Sequence, residues 1–161
     1  MENNTKLAEL YAVDMQMEDQ DMLVKELMKQ MEGIGFCLVT NVPGHDEDGL
    51  LTAIKAFHAL PLEEKIKLAP WHFNDKNPNK YRGYFPFLKN DPSHKEFYDM
   101  TRDIKDISEW ERKGCPLYEE RPWLEDKQHD WILKKFEEQY KIWHDLSLKL
   151  IGCLALGLGK R

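Results

Sequence analysis

Apolar residues along this chain occur in segments of helical spacing and in short extended runs, separated by stretches rich in Asn, Asp and Pro. After a polar lead over residues 1–10, Tyr11 to Met15 reads as a short strand. Met22, Leu23, Leu27 and Met31 then recur at helical spacing within Met17 to Glu32. The run Phe36-Cys37-Leu38-Val39, entered through Gly33 and Gly35 and left through Pro43-Gly44, is apolar without alternation. That pattern predicts a strand covered on both faces, whose N–H and C=O groups need neighbouring strands. Asp46 or Asp48 can cap a second helix with Leu50, Leu51, Ile54 and Phe57 as its buried stripe. Pro61 then opens another helix over Leu62 to Leu68.

From Pro70 to Lys80 the composition turns to Asn, Asp, Lys and Pro with Trp71 and Phe73 embedded, which predicts an exposed loop anchored by rings. Tyr81 to Phe87 reads as a strand ended by Pro86, Glu96 to Arg102 as another, and Cys115-Pro116 to Trp123 as irregular. Ile132, Phe136, Tyr140, Trp143, Leu146, Leu150, Ile151 and Leu154 form one stripe along Asp126 to Leu158, a core-packing helix of about nine turns. After Leu146 the stripe widens until the last turns want cover nearly all round, and an exposed apolar end of that kind marks an interface or an aggregation liability. The expected class is α+β, with about four short strands, fewer than a closed sheet needs.

At 161 residues the chain suits one domain with a sizeable core. Its 23 basic and 29 acidic residues give a net charge of −6, which offers no general attraction to nucleic acid or to an anionic membrane. The polar start lacks an apolar leader segment, and no run approaches the roughly 18 apolar residues of a membrane span, so a cytoplasmic protein is expected. The three cysteines, Cys37, Cys115 and Cys153, show no C-x-x-C spacing and read as reduced, mostly buried thiols.

The search for chemistry returns little. A facial-triad iron site takes two His and one carboxylate, commonly as H-x-D on a strand, and no H-x-D occurs. His45/Glu47 and His94/Glu96 are H-x-E pairs at a turn and in a loop, and the ordinary reading is solvated or locally hydrogen-bonded side chains. His58, His72 and His129 lack a carboxylate two residues on. Neither a nucleophile elbow, a phosphate loop nor a dinucleotide fingerprint is present, and Glu63-Glu64 and Glu119-Glu120 read as surface charge.

Three stretches taken together carry a resemblance: Gly35-Phe36-Cys37-Leu38-Val39-Thr40-Asn41-Val42, Phe57-His58-Ala59-Leu60-Pro61-Leu62-Glu63-Glu64-Lys65, and Tyr81-Arg82-Gly83-Tyr84-Phe85-Pro86. With Lys95-Glu96-Phe97-Tyr98-Asp99 and the final helix into Leu154 to Gly159, they resemble, in order and spacing, the N-terminal region of the isopenicillin N synthase-like iron(II) and 2-oxoglutarate-dependent dioxygenases. The resemblance runs from about Tyr11 to Gly159. It implies a helix-rich N-terminal domain over residues 11–159 whose few strands pack on and complete a double-stranded β-helix, a jelly roll that these residues do not contain.

The metal ligands of that family, H-x-D and a distal His, and its R-x-S for 2-oxoglutarate have no counterpart here, so no catalytic, metal or cofactor residue carries over. Iron(II) and 2-oxoglutarate are expected in a complete family member and not on this chain. The substrate would be a small organic molecule. Some relatives place a substrate-contacting side chain near the Arg-Gly-Tyr segment, so Tyr81 or Arg82 could line a pocket in a complete protein; the simpler reading makes Arg82 an exposed strand residue and Tyr81 a packing ring. Two other readings stay open: a stand-alone interaction module whose partner docks on the apolar end Leu148 to Leu158, and an incomplete translation product.

Overall fold

The computed structural model describes residues 10–102, 104–113, 115 and 117–160. The predicted polar lead therefore lies, Leu10 apart, outside the described residues, as does Pro116 of the irregular stretch. The elements run β1 (Ala12–Asp14), α1 (Gln20–Gly33), β2 (Leu38–Thr40), α2 (Glu47–His58), α3 (Leu62–Ile66), β3 (Gly83–Phe85), β4 (Phe97–Asp99), α4 (Glu109–Arg112) and α5 (Asp130–Gly157). This is an α+β arrangement without a closed barrel among the described residues. It divides into two compact units, residues up to His45 with Lys141 onward, and Asp46–Tyr140, so α5 contributes its first turns to the second unit and the rest to the first.

In the first unit β1 and β2 pair in parallel, Val13 opposite Val39. Met15 extends the pairing by donating its N–H to the Thr40 carbonyl at 2.9 Å. Asp14 accepts from the Gln16 N–H at 2.8 Å and from Asn41 Nδ2 at 2.9 Å, and those bonds hold its carboxyl below the usual carboxylate range. Asp19 caps α1 by accepting from the Met22 N–H at 3.0 Å. Val13, Met15, Leu23, Leu27, Leu146 and Cys153 form the core.

The Phe36 run departs from its prediction as a strand covered on both faces. Cys37 and Val39 pack against the core, whereas Phe36 is 59% exposed and Leu38 also faces outward. The physical reason is that among the described residues β2 has a single partner strand, with α1 and the end of α5 filling one face, so ordinary strand alternation leaves the other face open. On α1 the buried line is Leu23, Leu27 and Gln30, with Met22 and Met31 outside it.

The second unit is built around Phe57, whose ring centroid lies 5.1 Å from Tyr98, 5.9 Å from Trp123 and 6.0 Å from Phe136. Ala53, Leu68, Ala69, Tyr84, Leu124 and Ile132 complete that core. Asp46 caps α2 by accepting from the Gly49 N–H at 3.0 Å. The buried face of α2 is Ala53 and Phe57 with Leu50 beside them, and Leu51 and Ile54 of the predicted stripe are exposed. Pro61 is the N-terminal cap residue of α3, which ends two residues earlier than predicted.

The loop after Pro70 is anchored differently from its prediction. Phe73 packs on the core, but Trp71 is exposed, and the anchoring is carried by amides. Asn74 Nδ2 donates to the Ile66 carbonyl at 3.1 Å and Asn77 Nδ2 to those of Lys67 and Ala69, both at 2.7 Å. Beyond the loop, β3 and β4 pair antiparallel with Tyr84 opposite Tyr98. Along α5, Ile132, Phe136, Leu146 and Cys153 are buried, while Leu148, Leu156, Leu158 and Ile151, at 62% exposure, form an open apolar end; Trp143 and Ile151, predicted on the core-packing stripe, are both exposed.

Candidate functional site

The segment leading into β3 carries the two residues singled out from sequence, Tyr81 and Arg82. Gly83 fixes where that segment lies: its φ is +116°, and a Cβ there would stand 2.0 Å from the Leu68 carbonyl oxygen, the oxygen that accepts the Tyr84 N–H at 2.9 Å. Arg82 Nη1 donates to Asp99 Oδ2 on β4 at 3.0 Å, across an ion pair whose arginine side is mostly buried. Arg82 Nε is buried with no acceptor among the described residues. Tyr81 presents its ring to the outside at 42% exposure, while its backbone N–H donates to Glu119 Oε2 at 2.9 Å. Arg82 is thus a mostly buried, paired residue, and Tyr81 a half-open ring on a tethered backbone.

The second polar constellation of this unit centres on Glu96, one residue before β4. Its carboxylate accepts from Lys65 Nζ at 3.1 Å on both oxygens, from His58 Nδ1 at 2.6 Å and from the Tyr84 hydroxyl. Lys65, at 6% exposure, also donates to the His58 carbonyl at 3.0 Å and lies 5.2 Å from the Tyr84 ring centroid. Burial works against the Glu96 charge, but the hydrogen bonds from Tyr84, His58 and Lys65, together with the Lys65 charge, outweigh it and hold the carboxyl down at about 2. The reciprocal effect, burial first and then the bond to Glu96, pushes the Tyr84 phenol well above its ordinary range. An ionised Glu96 accepts only, so His58 is oriented with Nδ1 as the donor.

This network ties α2, α3, β3 and β4 together, and a metal would find poor terms in it. Two ligand types meet, His58 and Glu96, and the carboxylate is already engaged by a buried ammonium. Among the described residues there is no group of three His, Cys, Asp or Glu side chains able to hold a metal ion. His94 and Glu96 turn to different partners: Glu96 meets His58, and His94 stacks on Phe87 at 5.9 Å between centroids. His45 lies 4.8 Å from the Trp143 ring. His129 pairs with Asp126 at 2.8 Å near the start of α5. The residues present do not fit a facial-triad iron.

Sequence reasoning missed Glu96 and Glu119. As a chemical candidate Glu96 stood in a weak H-x-E pair, and its real partners are 12, 31 and 38 residues away. Glu119 read as surface charge, yet its carboxylate accepts the Lys80 N–H at 2.8 and 3.0 Å as well as that of Tyr81. A cleft of about 660 Å³ lined by Lys67, Asn79, Arg121, Trp123 and Asp126, among others, was equally invisible in the sequence.

Comparison with known proteins adds a different kind of information. The profile of the family described as non-haem dioxygenase in morphine synthesis N-terminal matches residues 8–129. The chain is 26% identical over 144 residues to an isopenicillin N synthase of Streptomyces griseus, covering 89% of this chain and 44% of that protein. It is 27% identical over 139 residues to the isopenicillin N synthase of Streptomyces clavuligerus, covering 86% of this chain and 42% of that protein. The chain therefore spans less than half the length of these curated relatives. No solved structure matches it at a significant level.

Proposed function

The chain belongs to the family of non-haem dioxygenase N-terminal domains, and from that premise we propose that it is the N-terminal domain of an iron(II)- and 2-oxoglutarate-dependent dioxygenase acting on a small organic substrate. The family match across residues 8–129 carries the reading. On this proposal residues 11–159 act as one domain, and its strands pack on and complete a double-stranded β-helix that brings the metal and 2-oxoglutarate ligands. The open face of β2 and the open apolar end of α5 favour it, because both are surfaces that a further layer would cover. The 161 residues alone would neither bind iron(II) with 2-oxoglutarate nor turn over. No helix among the described residues is long and apolar enough to cross a membrane, and the proposed setting is the cytoplasm.

Tyr81 and Arg82 are proposed to line the substrate pocket of the complete protein. Supporting this, Arg82 uses Nη1 toward Asp99 while its buried Nε–H lacks an acceptor among the described residues, and the Tyr81 ring is open. In a protein that also carries the barrel, Arg82→Gln should raise KM for substrate more than it lowers kcat; an unchanged KM would remove Arg82 from the pocket.

Thermal unfolding tests the proposed absence of the cofactor site. A ligand that binds only the folded state stabilises it by RT ln(1 + [L]/Kd), about 2.7 kcal/mol at a hundredfold excess over Kd. Iron(II) with 2-oxoglutarate should leave the Tm of this chain unchanged, and a clear upward shift would overturn the proposal. The second reading, a stand-alone interaction module, rests on the exposed apolar positions between Leu148 and Leu158. An open reading frame after Arg161 encoding H-x-D, a later His and R-x-S favours the dioxygenase domain; its lack favours the module or an incomplete product.

A further inference from the structure

The segment before β3 is held from a direction the sequence does not announce. Residues 119–122 run alongside it as a strap. Glu119 Oε1 accepts the Lys80 N–H at 2.8 Å, and Oε2 accepts it at 3.0 Å together with the Tyr81 N–H at 2.9 Å. The Glu120 carbonyl accepts from Asn79 Nδ2, and the Pro122 carbonyl from the Tyr98 hydroxyl at 2.6 Å. Asn79 is itself buried and returns its own carbonyl to the Trp71 N–H at 2.8 Å. Pro122 also closes over Gly83, where an added Cβ would come within 2.9 Å of Pro122 Cγ.

The pattern is unusual for a piece of surface chain. Lys80 and Tyr81 are exposed at their side chains, yet their consecutive amides share one carboxylate brought from 38 and 39 residues away. An exposed loop amide normally bonds to water, and a charged acceptor gathering two of them restricts the backbone without burying the side chains. A fixed backbone carrying an open ring is what preorganisation looks like: the ordering entropy of the segment is spent during folding and not when something binds.

We propose that Glu119 is a positioning residue, whose carboxylate fixes the Lys80–Tyr81 backbone so that the Tyr81 ring and the adjoining Arg82 are presented in one conformation. The functional value of that presentation rests on the reading of Tyr81 and Arg82 as ligand-facing; the clamp itself does not. Glu119 acts through the two backbone amides.

Amide hydrogen exchange on the full 161-residue chain tests the clamp residue by residue. Glu119→Ala should speed exchange at Lys80 and Tyr81 by about ten- to a hundredfold, the range for losing a hydrogen bond to a charged acceptor. The Tyr84 amide, bonded to the Leu68 carbonyl, should stay at its original rate. Glu119→Gln keeps a carbonyl acceptor and should restore most of the protection, which a purely electrostatic surface role would not. Unchanged Lys80 and Tyr81 rates in Glu119→Ala would overturn the proposal. So would a uniform acceleration that includes Tyr84, since that reports loss of the whole unit. If Glu119→Ala fails to fold, the Glu119→Gln comparison decides: selective, small acceleration at Lys80 and Tyr81 supports the clamp, and none or a uniform one overturns it. None of these outcomes depends on whether Arg82→Gln changes substrate affinity, so the clamp and the pocket fail separately.

Discussion

At the residue scale, the second unit depends on two positions whose requirements are opposite in kind. Gly83 is needed for what it lacks: its φ of +116° and the 2.0 Å approach of the Leu68 carbonyl leave no room for any Cβ. Gly83→Ala should cost about 3 kcal/mol or more in urea-unfolding stability, since strain and clash add. Glu96 is needed for its charge, because it is the carboxylate partner of buried Lys65. Its folded-state carboxyl lies at about 2 against 4.5 for an ordinary Glu, so ionisation favours folding. That contribution is fully present above about pH 4.5 and is lost as pH falls toward 2. Glu96→Gln should therefore be less stable than the parent at neutral pH by about 2–4 kcal/mol, with the gap closing in acid. Denaturant unfolding of both proteins at a series of pH values checks this, and a gap independent of pH would remove the charge from the account.

At the element scale, the Asp46 cap was legible in the sequence, whereas the Asp19 cap was not singled out and α1 begins at Gln20, three residues after the predicted Met17. Asp19 and Asp46 both act as caps, each accepting an N–H three residues on, because the first turn of any helix has spare donors and a short carboxylate reaches them locally. Asp19→Ala should lower stability by about 1 kcal/mol, and Asp19→Asn should recover most of it, measured by the same unfolding curves. The apolar stripe of α5 was legible in part, because a 3.6-residue period is written in the sequence: Ile132, Phe136 and Leu146 are buried, whereas Trp143 and Ile151 of the predicted stripe are exposed. The faces of β2 were not legible, since Phe36, Leu38, Cys37 and Val39 are equally apolar and only the neighbours decide which are covered. Leu51 and Ile54 on α2 repeat the lesson, because Ala53, a smaller residue, lies on the side where the core is.

At the scale of the whole molecule, a chain whose curated relatives are more than twice as long exposes apolar groups at β2 and along the end of α5. Leu146 and Ile151 lie on one helix with opposite surroundings, one buried in the first unit's core and one 62% exposed. Leu146→Ala should destabilise by about 2–5 kcal/mol, whereas Ile151→Lys should change stability by less than about 0.5 kcal/mol while lowering the binding of a hydrophobic dye. Undiminished dye binding in Ile151→Lys would locate the apolar surface elsewhere. The family match, the α+β class and the open helix end were each legible from sequence. Glu96 and Glu119 were not, because carboxylates look alike in a sequence.

By itself, then, the sequence determined what depends on near neighbours: helix periods, the Asp46 cap, and five short stretches in family order. Tertiary structure alone decided which side of β2 is covered, that Lys65 and Tyr84 converge on Glu96, and that Glu119 holds the amides of Lys80 and Tyr81. The reason is physical. Local torsion and capping energies act over three or four residues, whereas burial and charge pairing depend on which surfaces meet; the partners of Glu96 and Glu119 lie 12 to 39 residues away, and the cover of β2 comes in part from Leu146 and Cys153 at the other end of the chain.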